Sequence, residues 1–154
     1  MARGFIFNIS KYPEDLEMDE SDFYETFDAM QVDYVRNCDR EEAQEEKERF
    51  VKALRDRGAE TGSNENGTYV VFTEQTKENC FKDRLNTLKN VVQNMTLDEF
   101  SRDTQKIWQI RMLINNTYED AVFDSYDFFT IDEWIRKLTA GEKYYVGNNV
   151  VFMH

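Results

Sequence analysis

The chain has 154 residues, 40% of them hydrophobic, and its 19 basic and 31 acidic residues leave a formal net charge of −12. A chain of this length can bury roughly 68–70% of its unfolded surface without a disulfide or a metal, and its 12 Phe, 8 Tyr and 2 Trp residues argue against disorder. The negative charge argues against attraction to nucleic acid or to anionic lipid.

The chain begins with a strand signal. Phe5, Phe7 and Ile9 alternate on one face, with Ile6 on the other, which is the period of a half-buried strand. This apolar run is far shorter than a signal peptide core or a membrane span. We therefore expect a cytoplasmic protein.

Two helices and a short strand are predicted next. The first helix covers 20–30, and a brief strand covers 32–35. The second begins after Asp39, which has the spacing of a capping box, and ends at Gly58. On it, ion pairs at i,i+4 spacing are expected between Glu45 and Arg49 and between Glu48 and Lys52.

Turn-forming residues make 58–68 the clearest loop signal, and if the chain has two units the break falls at 58–67. A buried strand over 69–72 follows. A long helix then begins near Glu74, and its apolar stripe is formed by Phe81, Leu85, Leu88, Val92 and Met95.

Capping boxes at Thr96 and Thr130 predict two further helices, the first reaching about Asn116 and the second closed by Gly141. A strand is predicted over 121–123. The last residues predict a hairpin with Gly147-Asn148 as its turn. The fold class is therefore α+β: one domain over 1–154, with a mostly antiparallel sheet of four to six short strands, about five helices and a C-terminal β-hairpin.

Residue types exclude several kinds of chemistry. The single histidine, His154, is the last residue, and the glycines form no nucleotide-binding motif. Cys38 and Cys80 lack the spacing of a zinc site or a disulfide framework, so both are expected to be plain thiols. We predict no cofactor, no metal site and no catalytic residues.

The most uneven charge distribution lies in residues 12–35, which hold nine acids and not one Lys or Arg. Aromatic residues are interleaved with the acids, a combination that can anchor an interface with a basic partner. The predicted partner-binding residues are Glu17, Asp19, Glu20, Asp22, Tyr24, Glu25, Asp28 and Asp33.

Three functions remain open. The first is a non-enzymatic inhibitor that covers the basic, nucleic-acid-binding surface of a protein partner such as a nuclease, as DNA mimics, anti-CRISPR, anti-restriction and immunity proteins do. The second is an assembly or scaffold protein that binds through an apolar face. The third is a carboxylate-based hydrolase, because 31 acids always offer some pair. No direct nucleic-acid or membrane partner is expected, and the oligomeric state stays open.

Overall fold

The computed structural model describes residues 3–16, 34–117, 120–124 and 127–153. Seven strands lie in these residues: β1 (Arg3–Ser10), β2 (Tyr34–Asn37), β3 (Glu60–Asn64), β4 (Gly67–Val71), β5 (Ala121–Phe123), β6 (Phe128–Thr130) and β7 (Tyr144–Met153). Five α-helices lie there as well: α1 (Arg40–Asp56), α2 (Glu74–Gln93), α3 (Leu97–Arg102), α4 (Thr104–Ile114) and α5 (Ile131–Lys137). The helix predicted over 20–30 and the start of the strand predicted over 32–35 fall outside the described residues.

The strands form one mixed sheet in the order β3-β4-β7-β1-β5-β6, and β2 also pairs with β7. β1 and β5 run parallel, and the other pairs are antiparallel. One edge of β7 is covered by β1 along almost its full length. The other edge pairs with β4 at Tyr144 and Tyr145 and with β2 from Val150 to Met153. The predicted α+β class and the mostly antiparallel sheet are confirmed.

The C-terminal residues form a strand, but it is one continuous strand and not a hairpin. β1 pairs Phe7 with Asn149 and Ile9 with Val146, so Gly147 and Asn148 together face a single residue of β1. This is a β-bulge, and glycine inside a strand often marks one. A Cβ at Gly147 would collide with the carbonyl oxygen of Leu16, which accepts a hydrogen bond from the Asn148 N–H.

Residues 58–68 do not form a loop. β3 and β4 pair from Glu60 with Val71 to Asn64 with Gly67, which makes a tight β-hairpin with a two-residue turn. Gly67 has a φ of 113°, a backbone conformation that residues with a Cβ atom rarely adopt. The cluster of turn-forming residues therefore indicates the turn correctly, but it hides the strand on the N-terminal side of that turn.

The main core lies between one face of the sheet and helices α1 and α5. Phe7 stacks on Phe50 of α1 with ring centroids 4.1 Å apart, and Trp134 of α5 makes an edge-to-face contact with Phe72 at 6.0 Å. Ile6 belongs to a smaller cluster with Phe123 and Val150. The two clusters confirm the predicted alternation in β1, and full burial of each large apolar side chain is worth about 1.5–3 kcal/mol.

The predicted capping residues all cap their helices, but only Thr96 forms the full reciprocal box. Asp39 accepts from the Glu42 N–H, Thr96 and Glu99 form a reciprocal capping box, and Thr130 accepts from the Glu133 N–H. The helix expected to run from Thr96 to about Asn116 is instead two helices. Asp103, with an extended ψ of 90°, ends α3 and caps α4.

Candidate protein-interaction surfaces

Helices α2, α3 and α4 carry most of the exposed large apolar side chains in the described part of the chain. We call residues 74–114 the helical arm, and none of its residues is fully buried. The side chains that are about half exposed or more are Leu97 (81%), Phe100 (63%), Val92 (54%), Leu85 (50%), Ile114 (50%) and Trp108 (48%). Among the described residues outside the arm, Tyr12 is the one comparable side chain, at 52%.

The arm is attached to the sheet domain at its base. α2 has 20 residues and is about 30 Å long. Near its start, Phe81 and Cys80 pack against the main core, and the Lys77 Nζ donates to the Leu138 carbonyl oxygen at 2.7 Å. α4 packs against α2, and α3 packs against α4. The apolar stripe predicted on α2 is therefore only partly covered, because Leu85 and Val92 stay half exposed.

Arg84 joins the arm to α5. Its guanidinium donates to both carboxylate oxygens of Asp132, at 2.7 and 2.8 Å, and to the carbonyl oxygens of Leu113 and Ile114 at the end of α4. The Asp132 side chain is only 2% exposed and also accepts from the Asn116 N–H at 2.8 Å. One guanidinium thus satisfies C-terminal carbonyls of one helix and a carboxylate in the first turn of another.

The charge state of Asp132 follows from these contacts. Burial alone raises the pKa of Asp132, but hydrogen bonds from Arg84 and from the Asn116 N–H outweigh it, so the pKa is lowered. Asp132 is therefore ionised at neutral pH and neutralises Arg84 across the joint. A charged pair with this many hydrogen bonds is a structural contact and has no free proton acceptor to offer.

A cavity of about 310 Å³ lies beside this ion pair, between α2, α4 and α5. Its wall includes Cys80, Arg84, Trp108 and Met112. Burial raises the pKa of the Cys80 thiol, whose Sγ donates to the Arg57 carbonyl oxygen at 3.4 Å. A protonated thiol is a weak nucleophile, so the cavity does not favour covalent catalysis.

A second cavity, a groove of about 330 Å³, lies on the arm where α3 meets α4. Phe100, Ile107 and Trp108 form its apolar wall, and Arg102 and Arg111 lie at its edge. Leu97 is one turn before Phe100 on the same side of α3 and is the most exposed of the large apolar side chains described. The arm therefore presents a protruding side chain next to a groove.

All eight residues predicted to bind a partner, from Glu17 to Asp33, fall outside the described residues. The described residues on either side of this segment both meet β7. The Leu16 carbonyl oxygen accepts from the Asn148 N–H, and Tyr34 pairs with Met153.

A described acidic row lies on α1. Glu41, Glu45 and Glu48 recur at i, i+4 and i+7, which places them on one side of the helix, and all three are exposed. The ion pairs predicted for α1 are wrong in their partners. Arg49 pairs with Glu46 and Asp120, because β5 brings Asp120 beside the helix, and Lys52 pairs with Asp56.

The sequence interpretation missed the exposed surface of the arm, although a signal was present. The stripe on α2 accounts for its own apolar residues, but Leu97, Phe100 and Trp108 lie outside that stripe. The arm also has seven bases and six acids, a net charge of +1 in a chain of net charge −12. The near-zero net charge is the sequence feature that sets this segment apart from the rest of the chain.

The described residues contain no helix that is long and apolar enough to cross a membrane, and no group of three His, Cys, Asp or Glu side chains positioned to hold a metal ion. Comparisons with protein-family models, with curated proteins and with solved structures find no match to the chain.

Proposed function

We propose that this chain is a non-enzymatic assembly protein that binds a protein partner through the apolar side of its helical arm. The observation that carries the proposal is the exposure of Leu97, Phe100 and Trp108 around one groove. Phenylalanine and tryptophan are enriched at the centres of protein interfaces, where they supply a large share of the binding energy.

The size of the exposed surface supports this proposal. Six large side chains of the arm expose between 48% and 81% of their area, which amounts to on the order of 700 Å² if each has roughly 150–250 Å². Leaving this surface in water has a free-energy cost that a partner removes.

A non-enzymatic role is supported by two of the groups that line the cavity between α2, α4 and α5. Asp132 is held ionised by Arg84 and by a backbone N–H, and the Cys80 thiol is kept protonated by burial. A carboxylate with a lowered pKa is a weak base, and a thiol with a raised pKa is little ionised, so neither group is prepared for proton transfer or nucleophilic attack near neutral pH.

An acidic inhibitor of a basic surface is a second candidate, and the row on α1 favours it. Glu41, Glu45 and Glu48 are spaced about 6 Å and about 4.5 Å apart along the helix axis, more sparsely than phosphates at about 3.4 Å along one strand. The row alone is therefore too sparse to imitate nucleic acid. This candidate needs the acids between Glu17 and Asp33 as well.

Salt and two sets of substitutions distinguish the candidates. The tagged chain is used to capture partners from its native cell at about 0.05 M and about 0.5 M salt. A partner of the arm should stay bound at the higher salt and should be lost from a Leu97→Asp/Phe100→Asp variant. A partner of the acids should dissociate at the higher salt and should be lost from a Glu41→Lys/Glu45→Lys/Glu48→Lys variant.

Tyr12→Asp provides the matched control, because Tyr12 is 52% exposed but lies outside the arm. It should capture the same partner as the unmodified chain. If the arm variant also retains the partner and behaves like the unmodified chain in solution, the arm is not a contact surface.

A further inference from the structure

We propose that the occupant of the arm is a second copy of this chain. Two arms pack face to face about a two-fold axis, and Leu97 of each copy enters the groove between Phe100 and Trp108 of the other. This inference rests on the proposed function, because it identifies the partner of the same surface.

The arm carries both an exposed leucine and a groove that could receive one. A two-fold interface must be self-complementary, so a protruding group and the groove that receives it must lie on the same surface. Leu97 is 81% exposed on α3, and it lies one turn before Phe100, which lines the 330 Å³ groove at the junction of α3 and α4. Its apolar wall, with Phe100, Ile107 and Trp108, suits a leucine side chain.

The helices of the arm are arranged like half of a four-helix bundle. α2 and α4 form a helical hairpin, with the end of α4 held near the middle of α2 by Arg84. A hairpin that leaves one side uncovered can complete its core by packing on another hairpin, which produces a four-helix bundle. Leu85 and Val92 are seven residues apart, lie on one side of α2, and would enter that bundle.

The net charge of the arm differs from that of the rest of the chain. The arm carries seven bases and six acids, and the rest of the chain carries 12 bases and 25 acids, so the net charge is +1 on the arm and −13 elsewhere. Two copies with a net charge of −12 each repel one another in most orientations. Contact through the nearly neutral arms keeps the two acidic domains apart, and it is the approach that this repulsion opposes least.

The area is sufficient. Covering all six exposed side chains of one arm would bury on the order of 700 Å², which is close to the roughly 800 Å² that each partner buries in a standard protein interface. Contacts of side chains at the rim of the groove, such as Arg102 and Arg111, would add polar area. An interface of this size supports a specific dimer rather than a transient encounter.

The test is the mass of the full chain in solution, measured by sedimentation equilibrium over a range of concentrations. We expect twice the 18.4 kDa of one chain. The Leu97→Asp and Phe100→Asp variants should raise the dissociation constant by about 30-fold or more, which is the loss expected for a hot-spot residue. Asp at position 97 lies in the first turn of α3, where a negative charge favours the helix, so this variant should fold.

Tryptophan fluorescence gives a second measurement at the site itself. Trp108 is 48% exposed and Trp134 only 4% exposed, so quenching by acrylamide reports mainly Trp108. Quenching should fall as the protein concentration rises, and the fall should disappear in Leu97→Asp but remain in Tyr12→Asp.

Two results would overturn the inference. A chain that stays monomeric up to about 100 µM excludes the second copy, while arm-dependent capture of another protein would still support the proposed function. A dimer that Leu97→Asp and Phe100→Asp leave intact places the interface elsewhere. If these variants change neither the mass nor the captured partners, the proposed function fails as well.

Discussion

The burial of Asp132 cannot be predicted from its neighbours in the sequence. This residue follows the cap Thr130, so the sequence predicts an exposed acid in the first turn of a helix. In the structure its side chain is 2% exposed, because Arg84 reaches it from a helix 48 residues earlier and the Asn116 N–H reaches it from the end of α4. Long-range partners of this kind leave no local pattern.

The lowered pKa of Asp132 makes a prediction about pH. The pKa in the folded protein is below that in the unfolded chain, about 3.9. The stabilisation is therefore complete above that unfolded value and is lost as the pH falls toward the folded value. Asp132→Asn should lower the free energy of unfolding by about 3 kcal/mol at neutral pH, the low end for a buried pair, because Arg84 keeps 27% of its side chain exposed.

Chemical denaturation of the variant and of the unmodified chain, repeated from neutral pH to about pH 3, measures this difference. It should shrink as the pH falls below about 4. Asp98→Asn is the matched control, since its pair with Arg102 leaves both side chains more than 70% exposed and contributes little. A difference that stays constant with pH would mean that Asp132 contributes through shape and not through charge.

Helix boundaries follow from the sequence because caps are local. Thr96, Thr130 and Asp39 each lie within three residues of the N–H that they accept from, so four consecutive residues specify the contact. The break at Asp103 was missed because the stronger capping box at Thr96 lies only seven residues earlier. A second helix start so close to the first is masked by it.

Strand pairing is less predictable, as Gly147 illustrates. A Gly-Asn pair between two apolar runs is typical of a hairpin turn, and the same pair also suits a bulge. The choice depends on what lies beside the strand. Here Leu16 approaches so closely that only glycine fits, and β1 pairs with β7 on both sides of the bulge. That information lies in residues near the other end of the chain and cannot be read from the pair itself.

The joint between the arm and α5 predicts how the arm will respond to mutation. Arg84→Met keeps most of the apolar stem but removes the contacts with Asp132, Leu113 and Ile114. We expect α4 to loosen, with amide hydrogen exchange faster by about tenfold or more at its C-terminal turn, while β1 and β7 keep their protection. Arg102→Met, on the exposed face of α3, should leave the exchange of α4 unchanged.

Hydrogen exchange followed by mass spectrometry resolves these elements. Uniform acceleration in the sheet and in the arm would mean that the ion pair supports the whole domain and not the joint. Acceleration in neither would mean that packing of α4 on α2 holds the arm without Arg84.

At the scale of the whole molecule, the charge is divided between two regions. The sequence alone locates the −12 chiefly in its first half and suggests that the acids are the interaction surface. The fold adds that the arm, with a net charge of +1, is also the region where apolar side chains remain exposed. The near-zero net charge of the arm can be predicted from its composition. The exposure of its apolar side chains cannot, because it depends on how much of α2 is covered by the shorter α4.

This division predicts an unusual response to salt. If two copies meet through their arms, the acidic regions outside the arms repel one another across the dimer and oppose it. Raising sodium chloride from about 0.01 M to about 1 M shortens the Debye length from about 30 Å to about 3 Å. That change screens the repulsion but does not weaken the apolar contact, so the dissociation constant of the dimer should fall severalfold.

Sedimentation equilibrium at the two salt concentrations measures this effect. Chloride is preferred to sulfate, because sulfate strengthens apolar burial by itself and would imitate the predicted result. Leu97→Asp should remain monomeric in both conditions. A dissociation constant that rises with salt would instead mean that opposite charges hold the copies together, with cations of one arm such as Lys82 and Lys89 against the acids of the other copy, and the two-fold packing of the arms would have to be abandoned.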